Sequence, residues 1–179
     1  MSTKKHYIIT AITLGAIAAS SGLLIGLTNL ITKERIKQNE INKINEGMKE
    51  IFKQNSVKYE QFTLEEAGLK DEYKYSKIFY LVKDENDNDL GCAIRADGSN
   101  MYGKISLIVG FDKEEQNFLS LSLVTNEQTY ATTLVDNYIN PLNDGDIIID
   151  DVTCGATYGA KLVRDMVNEA QQAAKEYFN

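Results

Sequence analysis

A chain of 179 residues is long enough for one domain of ordinary size and an appendage. An apolar fraction of 43% supports a packed core, and a single proline with no low-complexity tract argues against extended disorder. The formal charge is −7, and only Lys4 and Lys5 precede residue 33, so the remainder sets 17 bases against 26 acids, a balance that argues against a nucleic-acid partner.

The one histidine, His6, and two cysteines 62 positions apart, Cys92 and Cys154, form no CxxC and no Cys/His cluster, so no metal site is predicted. The cysteines read as free thiols acting as small apolar groups, with a single disulfide as the alternative. There is no Gly-x-Ser-x-Gly elbow, and no Ser–His or Cys–His pair can form in the domain, so no catalytic residue is predicted.

Residues 7–32, YIITAITLGAIAASSGLLIGLTNLIT, carry no charge. A membrane span needs about 20 such residues. A cleaved signal peptide is the alternative, but the apolar run continues past AIAAS through Leu23, Leu24, Ile25 and Leu27. The reading is an uncleaved anchor in the lipid bilayer. Gly22 and Gly26 have the small-xxx-small spacing of close helix contact. Lys33, Arg35, Lys37, Lys43 and Lys49 follow the span, so a literal positive-inside count puts the C-terminal domain in the cytoplasm.

The next segment, residues 33–54, is helical in pattern: Ile41, Ile44, Met48, Ile51 and Phe52 recur at spacings of three and four. This stripe packs on its own domain or, on the sharper reading, meets a partner helix. Gly47 weakens the expectation of an unbroken helix. Then the period changes. Residues 73–84 (YKYSKIFYLVKD) suit a strand, DENDND a turn without the spacing of a calcium loop, and LGCAIRA (90–96) the answering strand. KISLIVGFD (104–112) and FLSLSLVT (118–125) form a second strand pair around DKEEQN, and the alternation of the latter predicts one buried and one wet face. A short helix over 129–139, a short buried strand at DIIID (146–150) and a helix over 159–178 complete the order. The fold class is α+β: a stub and transmembrane anchor (1–32), a juxtamembrane helix (33–57), and a single domain (58–179) with antiparallel strands and a C-terminal helix.

Just before that last helix the chain reads DVTCGATYG, residues 151–159. Thr157 can be an N-cap, its hydroxyl bonded to a first-turn N–H. Alternatively, the helix N-terminus attracts a phosphate, Gly155 and Ala156 let it approach, and the Thr157 hydroxyl is placed to be esterified to it. The order Asp151, two residues, Cys154, Gly155, Ala156, Thr157 resembles the flavinylation motif Asp-x-x-Ser/Thr-Gly-Ala-Thr/Ser of the FMN-binding domain family. That family includes RnfG, a component of the Rnf-type electron transport complex, and its counterpart in the sodium-translocating NADH:quinone reductase. The N-terminal span running into ITKERIKQNE (31–40) is also similar to RnfG, and MYGKISLIVGFD (101–112) resembles a family strand. Cys154 departs from the usual Ser or Thr, and Glu127-Gln128-Thr129 lacks the Pro-Gly of the family's Glu-Thr-Pro-Gly loop.

The resemblance implies covalent FMN, transferred from FAD by a flavin transferase and held by a phosphoester to Thr157, a phosphoprotein linkage. It further implies a flavin site including Cys154, Gly155, Ala156 and Asp151, with Glu127 and Thr129 near the ring. It implies electron transfer in an Rnf-like ferredoxin/NAD complex, alongside other membrane subunits and coupled to ion transport, rather than a complete enzyme. Against the charge count, it implies a single-pass protein of the cell membrane with an extracytoplasmic flavin domain. A solitary flavoprotein exporting electrons and a flavin-free anchored binding or structural module are the alternatives.

Overall fold

The computed structural model describes residues 2–69, 72–114 and 116–178, without the side chains of residues 2–5 and 30. Met1 and the side chains of Lys4 and Lys5, all in the predicted stub, lie outside the described residues. So do Glu115 of the predicted DKEEQN turn and Asn179 at the end of the predicted domain. The chain divides into two compact units, Met1–Ile41 and Asn42–Asn179. Helix α1, Ser2–Phe52, is unbroken and runs through both.

In the first unit, the 26 uncharged residues of 7–32 extend for roughly 39 Å at 1.5 Å per residue, longer than the ~30 Å hydrocarbon core of a bilayer. This helix is long and apolar enough to cross a membrane. Its apolar side chains, among them Ile12, Leu14, Leu24 and Ile25, are exposed. Four of its hydroxyls are paired along the helix: Thr10, Thr13, Ser20 and Thr28 each donate to the carbonyl four residues back at 2.8 Å. Such back-bonding satisfies polar groups that lipid cannot.

The second unit is built on a five-stranded antiparallel meander, β1 Lys58–Thr63, β2 Ser76–Lys83, β3 Asp89–Asn100, β4 Gly103–Asp112 and β5 Phe118–Asn126, in that spatial order. Helix α2, Ala131–Leu134, passes through a π-helical turn, Val135–Ile139, into α3, Asn140–Asp144, and α4 spans Thr157–Phe178. The π turn accommodates Pro141, which has no N–H for the regular ladder; the Asn140 N–H reaches back to Val135 instead.

Both faces of the sheet are covered. On one, Phe79, Ile94, Leu107, Val109 and Phe111 pack under Ala160, Val163, Met166, Val167 and Ala170 of α4. On the other, Tyr80, Val82, Ala93, Ile108 and Val124 pack under Ile44, Met48, Ile51 and Phe52, the last turns of α1. The apolar stripe therefore packs on its own domain, except Ile41, which stays exposed.

Gly47 is a contact residue rather than a break. A Cβ added there would lie 2.7 Å from the Ser122 hydroxyl, and one added at Gly110 would lie 2.1 Å from Ile51 Cγ2. These two glycines let the helix lie close on the sheet. They also correct the expected wet face of β5, because Ser122 sits beneath α1. A register shift opposite Ser106 and Leu107 leaves Val124 without a cross-strand partner and turns it into the second core layer.

DIIID is not a strand. Its backbone closes on itself and on α3, with Asp146 N–H donating to Pro141 O at 2.8 Å and Asp151 N–H to Ile148 O at 3.0 Å, and Ile148 is 72% exposed. Edge strand β1 escapes the periodicity because KYEQFT alternates too weakly, and β3 runs four residues past the predicted end. Cys92 and Cys154 are free thiols, the first buried and the second half-buried.

Candidate functional site

Helix α4 opens with the Ala160 N–H donating to Ala156 O at 3.0 Å. Ala156 therefore holds the cap position and Thr157 is the first helical residue. The Thr157 hydroxyl does not cap: it has no hydrogen-bond partner among the described residues, and the N–H groups of Thr157, Tyr158 and Gly159 have none either. Gly155 turns the chain into the helix at φ +81°, in the left-handed region.

Thr157, Tyr158 and Gly159 line a cavity of about 250 Å³. Gly155, Ala156, Thr157, Tyr158 and Gly159 form one wall; Tyr102, Gln128, Tyr130 and Leu134 form the other. The Tyr102 ring lies 5.5 Å from that of Tyr158, inclined at 37°, and 6.0 Å from that of Tyr130. Tyr130 and Tyr158 are exposed, so the cavity has an aromatic rim that meets solvent.

A hydrogen-bond network fixes this wall. Asn100 Oδ1 accepts from the Tyr102 N–H at 2.8 Å and from Gln128 Nε2 at 3.1 Å, while Asn100 Nδ2 donates to Tyr158 O at 3.1 Å. Gln128 Nε2 also donates to Gly103 O at 2.6 Å. The tip of the β3–β4 hairpin, the loop after β5 and the first turn of α4 are thereby joined. The loop is further zipped to β4 by Glu127 N–H to Lys104 O at 2.8 Å and Thr129 N–H to Tyr102 O at 2.9 Å. Gly103 permits the approach: a Cβ there would lie 2.0 Å from Glu127 O.

Of the predicted site residues, Gly155, Ala156 and Thr157 line the cavity together. Cys154 lies just outside the lining, its carbonyl accepting from Asn137 Nδ2 at 3.1 Å. Asp151 is exposed and outside the lining. Glu127 and Thr129 are exposed and also outside it; Gln128, between them, is the residue that turns inward. Sequence reasoning passed over Tyr102, Gln128, Tyr130, Leu134 and Tyr158 as lining residues. Nearby, the Tyr138 hydroxyl donates to Ile149 O at 2.5 Å and holds the loop leading to the motif, while burial pushes this phenol well above its ordinary range and keeps it a neutral donor. Among the described residues, no cluster of three or more His, Cys, Asp or Glu is placed to hold a metal.

A family model described as the RnfG N-terminal region matches residues 1–51. Over that stretch the chain resembles RnfG. The match covers the apolar span and most of the rest of α1, and it supports a subunit of an Rnf-type complex. Together with the one candidate transmembrane helix among the described residues, the likeness to RnfG fits a single-pass membrane protein. The match does not extend to the cavity, so the motif around Thr157 stands on separate residues. No curated protein matches the chain.

Proposed function

We propose that the protein is a membrane-anchored flavoprotein subunit that carries FMN joined through its phosphate to Thr157 and relays electrons within an Rnf-like ion-translocating ferredoxin/NAD oxidoreductase complex. The observation that carries this reading is the Thr157 hydroxyl: unpartnered, at the mouth of a cavity, and last in the sequence Asp-x-x-Cys-Gly-Ala-Thr.

The donor set suits the group. The free N–H groups of the first turn of α4 and the positive end of its dipole favour a phosphate ester on Thr157. Gly155, with no side chain, leaves room beside it. The rings of Tyr102, Tyr130 and Tyr158 offer flat apolar surface to an aromatic ring. At about 250 Å³ the cavity encloses only part of such a ligand, leaving an edge in solvent where a partner protein can approach. Once bound, FMN supplies one- and two-electron redox chemistry.

On attachment, Thr157 Oγ1 loses its proton and bonds to the phosphorus of the FMN half of FAD, and AMP leaves as the pyrophosphate bond breaks. A flavin transferase promotes this step. Thr157 then serves as a tether and takes no part in turnover. The resemblance to RnfG supports an extracytoplasmic flavin domain against the charge count, since other spans of an assembly can override that bias. It likewise favours a complex over a solitary flavoprotein.

Co-expression of the full chain with a flavin transferase tests the reading. A fluorescent band that survives denaturing electrophoresis is expected for the wild type and not for Thr157→Ala. A dark wild type, or a band that persists in the variant, refutes it.

A further inference from the structure

Gln128 is 7% exposed, yet its side chain is only half satisfied. Its Nε2 donates to Asn100 Oδ1 at 3.1 Å and to Gly103 O at 2.6 Å. Both partners are acceptors, and Asn100 Oδ1 is itself fixed as one by the Tyr102 N–H. The amide therefore has a single orientation, nitrogen toward the hairpin and oxygen toward the cavity. The Oε1 atom has no hydrogen-bond partner among the described residues. It lies beside Gly159, 3.4 Å from where a Cβ on that residue would stand. Among the described residues, Ser76 Oγ is the one fully sealed side-chain polar atom left without a partner, so Gln128 Oε1 keeps some contact with solvent; the cavity it lines is the space it opens to. A ligand that fills the cavity takes solvent from this acceptor, which costs free energy unless one of the ligand's own donors replaces it.

We propose that Gln128 Oε1 is the acceptor for a hydroxyl of the ligand's polyol chain. The position selects that group: Gln128 and Thr157 line the same cavity, so the oxygen shares that space with a phosphate held on Thr157 and with the atoms next to it. In FMN these are the ribityl hydroxyls. The assignment rests on the reading of the cavity as a flavin site. Asn100 acts through Gln128, holding its amide, and is a positioning residue.

The test uses the full chain in detergent, purified without a transferase, titrated with riboflavin and with lumiflavin, which has the same ring system but no polyol. Flavin fluorescence reports binding. One hydrogen bond predicts that the wild type prefers riboflavin by about fivefold. Gln128→Met removes that preference, read as the ratio of the two affinities within each protein. Equal binding of the two ligands by the wild type overturns the assignment, and that comparison stands even if the variant fails to fold. A preference that persists in Gln128→Met overturns it also, as does a wild type that is flavinylated with transferase yet binds neither free ligand. In each case a flavinylated wild type leaves the Thr157 reading intact; a wild type that binds neither flavin and is never flavinylated removes both.

Discussion

Asn100 and Tyr158 hold each other's segments: the Asn100 side-chain amide donates 3.1 Å to the Tyr158 carbonyl, across 58 residues of sequence. Through this bond the tip of the β3–β4 hairpin is attached to the first turn of α4. Asn100 also accepts from Gln128 and Tyr102, so one side chain organises three segments around the cavity. Replacing it by Ala removes three hydrogen bonds, one of them to the buried Gln128 amide, which costs about 1–3 kcal/mol. The expected result for Asn100→Ala is an unfolding free energy lower by that amount, seen as a lower urea midpoint, and reduced flavin loading. Both are read on the same preparation, by denaturation and by absorbance.

Gly155 adopts φ +81°, where a Cβ is strained by about 1–2 kcal/mol. Gly155→Ala should therefore misplace the start of α4 and lower the fraction of chain bearing flavin, as counted from intact mass. Loading equal to that of the wild type would show that the turn tolerates a side chain.

Gly47 makes a prediction whose sign depends on its neighbour. Ala is normally favoured over Gly in a helix by about 1 kcal/mol. Here the new methyl would meet Ser122, an overlap expected to cost about 1–3 kcal/mol. Gly47→Ala should destabilise the wild type but stabilise a Ser122→Gly background. A denaturation cycle of the four proteins measures the coupling, and additivity would show that α1 does not press on β5 at this point.

Alkaline pH should weaken the fold. Burial pushes the Cys92 thiol up from 9.0 to about 12, with Asp112 adding to the shift. In the unfolded chain the thiol ionises near its ordinary value, whereas in the folded chain it retains its proton. The unfolded state thus binds fewer protons above pH 9, so stability is whole below that pH and declines toward pH 12. Tyr138 and Tyr73, both raised chiefly by burial, act in the same direction above 10.0. Urea midpoints measured between about pH 8 and about pH 10.5 should fall, and less steeply in Cys92→Ala.

Some of this was legible in the sequence and some was not, for physical reasons. The span, the strands at 76–83 and 103–112, and α4 follow from runs whose period or length is local. The wall containing Thr157 follows from a contiguous motif. The opposite wall does not, because Tyr102 and Gln128 meet it only through the register of the meander and the close approach at Gly103. DIIID looked like a strand because its side chains are apolar and branched, yet no sheet edge takes it up; α3 and Tyr138 hold its backbone instead. The stripe on α1 told of packing on its own domain but not where: pattern alone does not say that α1 lies on β5, and the shift at Val124 breaks the alternation that suggested water.

The central claim concerns one bond, and peptide mass mapping of the full chain matured with a flavin transferase examines it most directly. The account predicts that the peptide containing Thr157 carries one FMN less water, that fragmentation places it on that residue, and that Thr157→Ser retains the adduct while Thr157→Ala lacks it. An unmodified Thr157 peptide from a competent host, or flavin bound at any other residue, would contradict it.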